Sequence, residues 1–132
     1  MNLPAIVLLA HGSPDPDWMR PVAQTRAALA ALAPDRTIAV ATLGTEPATC
    51  LDNVVAALVA ADHTTIVVTA LFLSAGGRHV KKDLPHRVAQ LKDAHPNVRF
   101  ELTPGALGED PEVTTALANV AYRAALATNA AV

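Results

Sequence analysis

The chain has 132 residues, of which 52% are hydrophobic and 17% charged, with a mean hydropathy of +0.30. That is enough apolar side chain for one packed domain over residues 1–132, and too much for a disordered chain. Ten Lys and Arg against twelve Asp and Glu leave a net charge of −2, which argues against diffuse attraction to nucleic acid or anionic lipid.

Ala5–Ala10 opens the chain as an unbroken apolar run, expected to form a strand covered on both faces. Asp15-Pro16-Asp17 then signals a helix start, with an Asp to cap free N–H groups and a proline where no N–H is needed. Pro21 is expected inside the first turn of that helix, and Pro34 closes it. Thr37–Leu43 is the second strand, followed by a helix starting near Thr45-Glu46-Pro47 and closed by Asp62-His63. Thr65–Leu71 is the third strand. Asp83-Leu84-Pro85 begins the third helix, which Pro96 ends. Val98–Leu102 alternates apolar and polar residues, as a strand with one wetter face does. Asp110-Pro111-Glu112 starts the last helix. Strict β-α alternation specifies a parallel sheet with right-handed crossovers. The expected architecture is a flavodoxin-like, three-layer α/β fold with strand order 2-1-3-4 and helices on both faces.

Several classes of function are disfavoured. No apolar run approaches the ~20 residues of a membrane span. The single cysteine, Cys50, allows neither an intrachain disulfide nor a cysteine-based zinc knuckle. The start Met-Asn-Leu-Pro carries no basic segment and no cleavage pattern, so a cytoplasmic location is expected. One Trp, one Tyr and two Phe cannot build a stacking platform for single-stranded nucleic acid. Neither G-x-G-x-x-G nor a phosphate-loop pattern is present, and Ser13 has no G-x-S-x-G context.

Ligands of open parallel sheets bind beyond the carboxyl ends of the strands, where strand order reverses. His11-Gly12-Ser13 follows strand one, Glu46 lies soon after strand two, and Leu71–His79 follows strand three. With order 2-1-3-4, His11 and His79 leave adjacent strands and Glu46 lies one strand over. Two imidazoles and a carboxylate at one edge suit either a divalent-metal site or an acid/base cluster. Taken singly they have plainer readings: a loop histidine, and a carboxylate at the positive end of helix two. His63, His86 and His95 are read as solvated. Arg78, Lys81, Lys82 and Arg87 gather at a helix start, where cations oppose the macrodipole and a polyanionic ligand would offset that penalty.

These residues carry a family resemblance that extends over essentially the whole chain. Val7-Leu8-Leu9-Ala10-His11-Gly12-Ser13 resembles the opening of the class II tetrapyrrole chelatases. Gly77-Arg78-His79, followed by Asp83-Leu84-Pro85, is similar to their second signature. Glu46-Pro47 and Leu107-Gly108-Glu109-Asp110-Pro111 match two weaker positions. The resemblance is to the short, single-domain CbiX-type sirohydrochlorin chelatases of cobalamin and sirohaem synthesis. It implies that His11 and His79 hold the incoming ion and help remove the pyrrole protons, with Glu46 as a further metal ligand. It also implies no tightly bound cofactor, the divalent ion (Co²⁺ foremost, or Fe²⁺ or Ni²⁺) being a substrate.

The chemistry is consistent with that reading. Metal insertion displaces two pyrrole protons, so a site must hold the ion loosely and accept protons near neutrality. Imidazole, with an unperturbed pKa of ~6.5, does both. The substrate's carboxylates would pair with Arg78, Lys81 and Lys82, and with Arg87 further along, while Gly76 and Gly77 would let backbone approach the ring and Ser13 is a further substrate-binding residue. Leu71, Leu73 and Leu107 would form its apolar walls. A non-catalytic metal- or tetrapyrrole-delivery protein and a flavodoxin-like phosphate-binding domain are the competing readings. A macrocycle about ten ångströms across exceeds what one strand-end face encloses, so a homodimer with its His11/His79 edges facing a shared cleft is expected.

Overall fold

The computed structural model describes residues 3–74, 76 and 79–128, with side chains at all of these but His79 and Val80. The chain runs β1 (Ala5–Ala10), α1 (Pro16–Leu32), β2 (Ile38–Thr42), α2 (Leu51–Ala60), β3 (Thr65–Ala70), α3 (Leu84–Ala94), β4 (Arg99–Leu102) and α4 (Pro111–Ala127). A π-helical turn, His79–Asp83, leads into α3, and a 3-10 turn, Leu107–Glu109, leads into α4. The four strands pair in parallel, as the β-α alternation predicts, and in the expected order β2-β1-β3-β4. The reversal of order falls between β1 and its neighbours, which places the carboxyl end of β1 at the centre of the sheet edge.

The two faces of the sheet are covered unequally. Ala5, Val7 and Leu9 of β1 join Ile66, Val68 and Ala70 of β3 in the main core. Against them pack Leu51, Val55 and Leu58 of α2 and Leu84, Val88 and Leu91 of α3. Both triplets have the i, i+4, i+7 spacing that lines one side of a helix. The opposite face meets α1, but neither α1 nor α4 has a buried residue. Thr69, buried on β3, is satisfied by the Thr103 hydroxyl at 2.8 Å.

Helix boundaries follow local chemistry. Asp15 and Asp110 are N-caps, accepting from Asp17 N at 2.9 Å and Glu112 N at 2.8 Å, each with a proline in the first turn. The helix α2 ends in a Schellman motif. Asp62 takes a left-handed φ of 68°, while its N–H donates to Val59 and that of His63 to Leu58.

Four expectations need correction. Asp83 makes no capping bond, because the π turn already holds it in helical conformation (φ −69°, ψ −40°). Pro21 lies inside α1 rather than in its first turn. The Asp15 cap and Pro16 fix the start ahead of it, at the cost of the bond that Pro21 cannot donate to Asp17. Thr45-Glu46-Pro47 does not start α2, which begins at Leu51. The Glu46 carbonyl instead accepts from Thr49 N (3.1 Å) and Cys50 N (2.8 Å), closing a turn. Finally, His63 and His95 are half-buried, the first with no hydrogen-bond partner for its Nδ1 among the described residues and the second with its ring 6.2 Å from that of Phe100, so neither is a solvated residue.

Candidate functional site

Where β1 runs out, His11 begins a loop that crosses towards β2. Gly12 makes this crossing possible. Its φ is +85°, and a Cβ there would lie 2.8 Å from Cβ of Thr42. Both facts demand glycine: the left-handed backbone disfavours L side chains, and the approach to β2 leaves no room for one. His11 is thereby held at the strand edge, its side chain exposed. Its Nδ1 lies 3.3 Å from the Gly12 carbonyl. A carbonyl only accepts, so this contact favours the tautomer protonated at Nδ1, whose lone pair is on Nε2, the nitrogen suited to a metal ion or a proton.

The second wall is the loop between β2 and α2. Thr42 N donates to the Thr49 carbonyl at 2.8 Å, and the two threonine hydroxyls meet at 3.0 Å. These bonds draw the returning chain back onto the end of β2, so that residues 43–48 stand out as a closed loop carrying Glu46. Between the two loops is a cleft of ≈ 730 Å³, within the ~300–1,000 Å³ usual for small-molecule sites. His11, Ser13 and Glu46 line it, together with Leu43 and Met19. The Ser13 hydroxyl accepts from Asp15 N at 3.1 Å, tying the loop to the start of α1.

The sequence-predicted residues are therefore only partly gathered. His11, Ser13 and Glu46 share the cleft. Gly77 and Arg78 lie outside the described residues, as does the side chain of His79; the His79 backbone begins the π turn. Lys81 and Lys82 are exposed on that turn and do not line the cleft. Gly76 N donates to the Ser74 hydroxyl at 2.9 Å in the loop before it. Among the described residues no three His, Cys, Asp or Glu side chains are grouped to hold a metal ion.

Two other assignments change. Arg87 faces Asp52 of α2 at 3.6 Å, so it links two helices instead of joining Lys81 and Lys82. Leu107, expected as an apolar wall, lines a separate groove on the α1 side, and Leu73 is 70% exposed. Met19 and Leu43 are apolar walls of the cleft, with Thr42 beside them. Met19 could have been found by noting that it lies one turn into α1, just beyond the His11-Gly12-Ser13 loop.

The sequence profile of the CbiX family matches residues 5–124. No curated protein matches the chain. Among solved structures, a cobalamin (vitamin B12) biosynthesis CbiX protein from Marinobacter aquaeolei VT8 is 26% identical, with a TM-score of 0.77 over 92% of this chain and 94% of that one. The sirohydrochlorin chelatase SirB from Bacillus subtilis subspecies spizizenii, in complex with cobalt, is 23% identical with a TM-score of 0.78, over 93% of this chain and 51% of that one. SirB from Bacillus subtilis with Fe³⁺ is 24% identical with a TM-score of 0.74, over 90% of this chain and 46% of that one. The present chain thus spans about half the length of the SirB chains, whose likeness is one of fold.

Proposed function

The chain belongs to the CbiX family, and from that membership we propose that it is a sirohydrochlorin chelatase, inserting a divalent metal ion, Co²⁺ foremost, into the free-base tetrapyrrole. The supporting observation is the cleft at the carboxyl ends of β1 and β2, where one loop supplies the His11 imidazole and the other the Glu46 carboxylate. Imidazole and carboxylate are ligands that Co²⁺, Fe²⁺ and Ni²⁺ all accept. Neither binds as tenaciously as thiolate, so an ion held by them can be handed on.

In the proposed reaction two pyrrole N–H bonds break as the ion becomes bound to the ring nitrogens, and two protons leave. His11, with its Nε2 lone pair directed by the Nδ1 contact to Gly12, first coordinates the ion and then accepts a proton once the ion has moved to the ring. His79 is the proposed second ligand and second base, and Glu46 the third ligand. Leu43 and Met19 supply apolar contact for the ring. Ser13, Gly76, Gly77 and Arg78 would line its path, with Lys81 and Lys82 pairing its carboxylates. The ion is a substrate, and no tightly bound cofactor is required. No helix among the described residues is long and apolar enough to cross a membrane, and a cytoplasmic enzyme of one domain is the proposed setting. A two-fold homodimer with its cleft edges facing would enclose the ring that one edge leaves open.

Anaerobic spectroscopy with substoichiometric protein tests this. The proposal expects many equivalents of sirohydrochlorin metallated per chain, with Co²⁺, Fe²⁺ and Ni²⁺ assayed in parallel. Conversion that stops near one equivalent would identify a carrier and overturn the enzymatic reading.

A further inference from the structure

The segment that follows β3 is held from both sides. Towards β1, Leu71 N donates to the Leu9 carbonyl at 2.8 Å. On the other side, Thr103 N donates to the Val68 carbonyl at 3.0 Å, just past the end of β4. The chain then leaves the sheet through Pro104-Gly105, where Gly105 takes a φ of 66°. The 3-10 turn Leu107–Glu109 brings it back, and Gly108 N donates to the Phe72 carbonyl at 2.8 Å. Val68 and Phe72 are an even number of residues apart, so both carbonyls point towards β4. Gly108 thus stands where a longer β4 would have gone.

The contact is closer than any side chain allows. A Cβ at Gly108 would lie 2.3 Å from Cα of Leu73 and 2.6 Å from its carbonyl oxygen. Both are main-chain atoms, so no change of rotamer relieves the overlap. Gly108 has no left-handed φ, so the approach alone requires glycine. Neither neighbouring element needs it: the β3–β4 register is complete at Val68 and Leu102, and Asp110 caps α4 by its own bond to Glu112 N.

What the latch holds is the stem of the segment that carries His79. Ser74 follows at once, its hydroxyl accepting from Gly76 N at 2.9 Å. At the far end the π turn His79–Asp83 runs into α3, whose Leu84 and Val88 are buried in the core. His79 is therefore carried between two fixed points, the latch at Leu73 and the root of α3. A connection this short cannot absorb a displacement at either anchor without moving the residue it carries. Ordinary carbon contacts lie at ~3.5–4.0 Å, so a methyl group on Gly108 would part the two segments by at least about 1 Å. Misplacement on that scale at reacting groups costs on the order of a hundredfold in rate.

We infer that Gly108 is a positioning residue for His79. By latching the 3-10 turn to Phe72 and Leu73, it sets where the His79 segment leaves the sheet, beside the strand that ends in His11. Gly108 touches neither the ion nor the ring and acts only through His79. The inference rests on the chelatase reading above and on the role given there to His79; it adds the element that aims that residue.

The test is a double-substitution cycle in the full chain. Gly108→Ala and His79→Ala are made singly and together, then compared by Co²⁺ affinity in equilibrium dialysis and by multiple-turnover metallation of sirohydrochlorin. Gly108→Ala should weaken Co²⁺ binding and lower kcat, each at least about tenfold, with KM for sirohydrochlorin changed less than about twofold. In the His79→Ala background the same substitution should change Co²⁺ affinity by less than about twofold, because the group it misplaces is gone. A role confined to stability would instead give effects that multiply. Ala106→Gly loosens the turn without adding bulk, and serves if Gly108→Ala does not fold: it should give a smaller loss with the same dependence on His79. Parental affinity and turnover in the Gly108 and Ala106 variants, or losses that persist in full without His79, would overturn the positioning role and leave the chelatase reading standing. Indifference to His79→Ala in both measurements would overturn the role of His79 and the positioning with it. A parent chain that never exceeds one turnover would overturn the chelatase reading, while the Co²⁺ cycle would still decide the positioning.

Discussion

Replacing Gly12 by alanine adds one methyl group, and the structure sets what it costs. At φ +85° an L side chain is strained, by ~1–2 kcal/mol for a left-handed residue. The new Cβ would also lie 2.8 Å from Cβ of Thr42 and 3.0 Å from its methyl group. Thr42 is buried and bonded to Thr49 through both backbone and hydroxyl, so it cannot yield cheaply. Overpacking of this kind adds ~1–3 kcal/mol. Alanine recovers ~0.4–1 kcal/mol by restricting the unfolded chain. The net expectation is about 1–4.5 kcal/mol of lost stability, against the ~5–15 kcal/mol that holds a domain folded. Gly44 is the control, on the opposite wall of the same cleft. A Cβ there meets nothing within 4 Å, so Gly44→Ala should be neutral or slightly stabilising. Urea unfolding of the two variants beside the parent reads the difference directly. If Gly12→Ala unfolds within about 0.5 kcal/mol of Gly44→Ala, the packing of the His11 loop on β2 is wrong.

Further expectations follow from the caps, the π turn and the cleft. Asp110→Ala removes the bond to Glu112 N and should cost ~0.5–2 kcal/mol in urea unfolding, with loss of helical signal from α4. Lys81→Ala with Lys82→Ala should raise KM for sirohydrochlorin more than it lowers kcat, since the pair would bind ground and transition states alike; a fixed KM with a collapsed kcat would give the lysines another role. Glu46→Gln should weaken Co²⁺ binding in equilibrium dialysis while leaving the unfolding midpoint unchanged, because the side chain is exposed and only its backbone carbonyl closes the turn.

The strands were legible in the sequence because their signal is local. Ala5–Ala10 is an unbroken apolar run, and Thr65–Leu71 is one interrupted at Thr69, as expected of strands in the interior of a parallel sheet. Asp15-Pro16 and Asp110-Pro111 were legible for the same reason, a cap and a proline acting within one turn. The same pattern misled at Thr45-Glu46-Pro47, because what decides there is a contact between Thr42 and Thr49 across the loop. Asp83 misled because the π turn starts the helix earlier than its proline suggests. At the site, His11 and Glu46 could be brought together from strand order alone. Met19 could be placed beside them only through its position one turn into α1, and Leu43 not at all, since its role depends on how the two loops lean.

The central claim is that the His11 cleft is where metal is inserted. It is tested most directly by multiple-turnover metallation of sirohydrochlorin under anaerobic conditions, comparing the parent chain with His11→Ala. His11 is exposed and its loop is held by Gly12, Ser13 and Thr42, so the variant should keep the parent's circular dichroism spectrum and unfolding midpoint. The account predicts that its turnover falls by at least about a hundredfold, the usual weight of a positioned acid–base group. Near-parental turnover in a folded His11→Ala chain would contradict it.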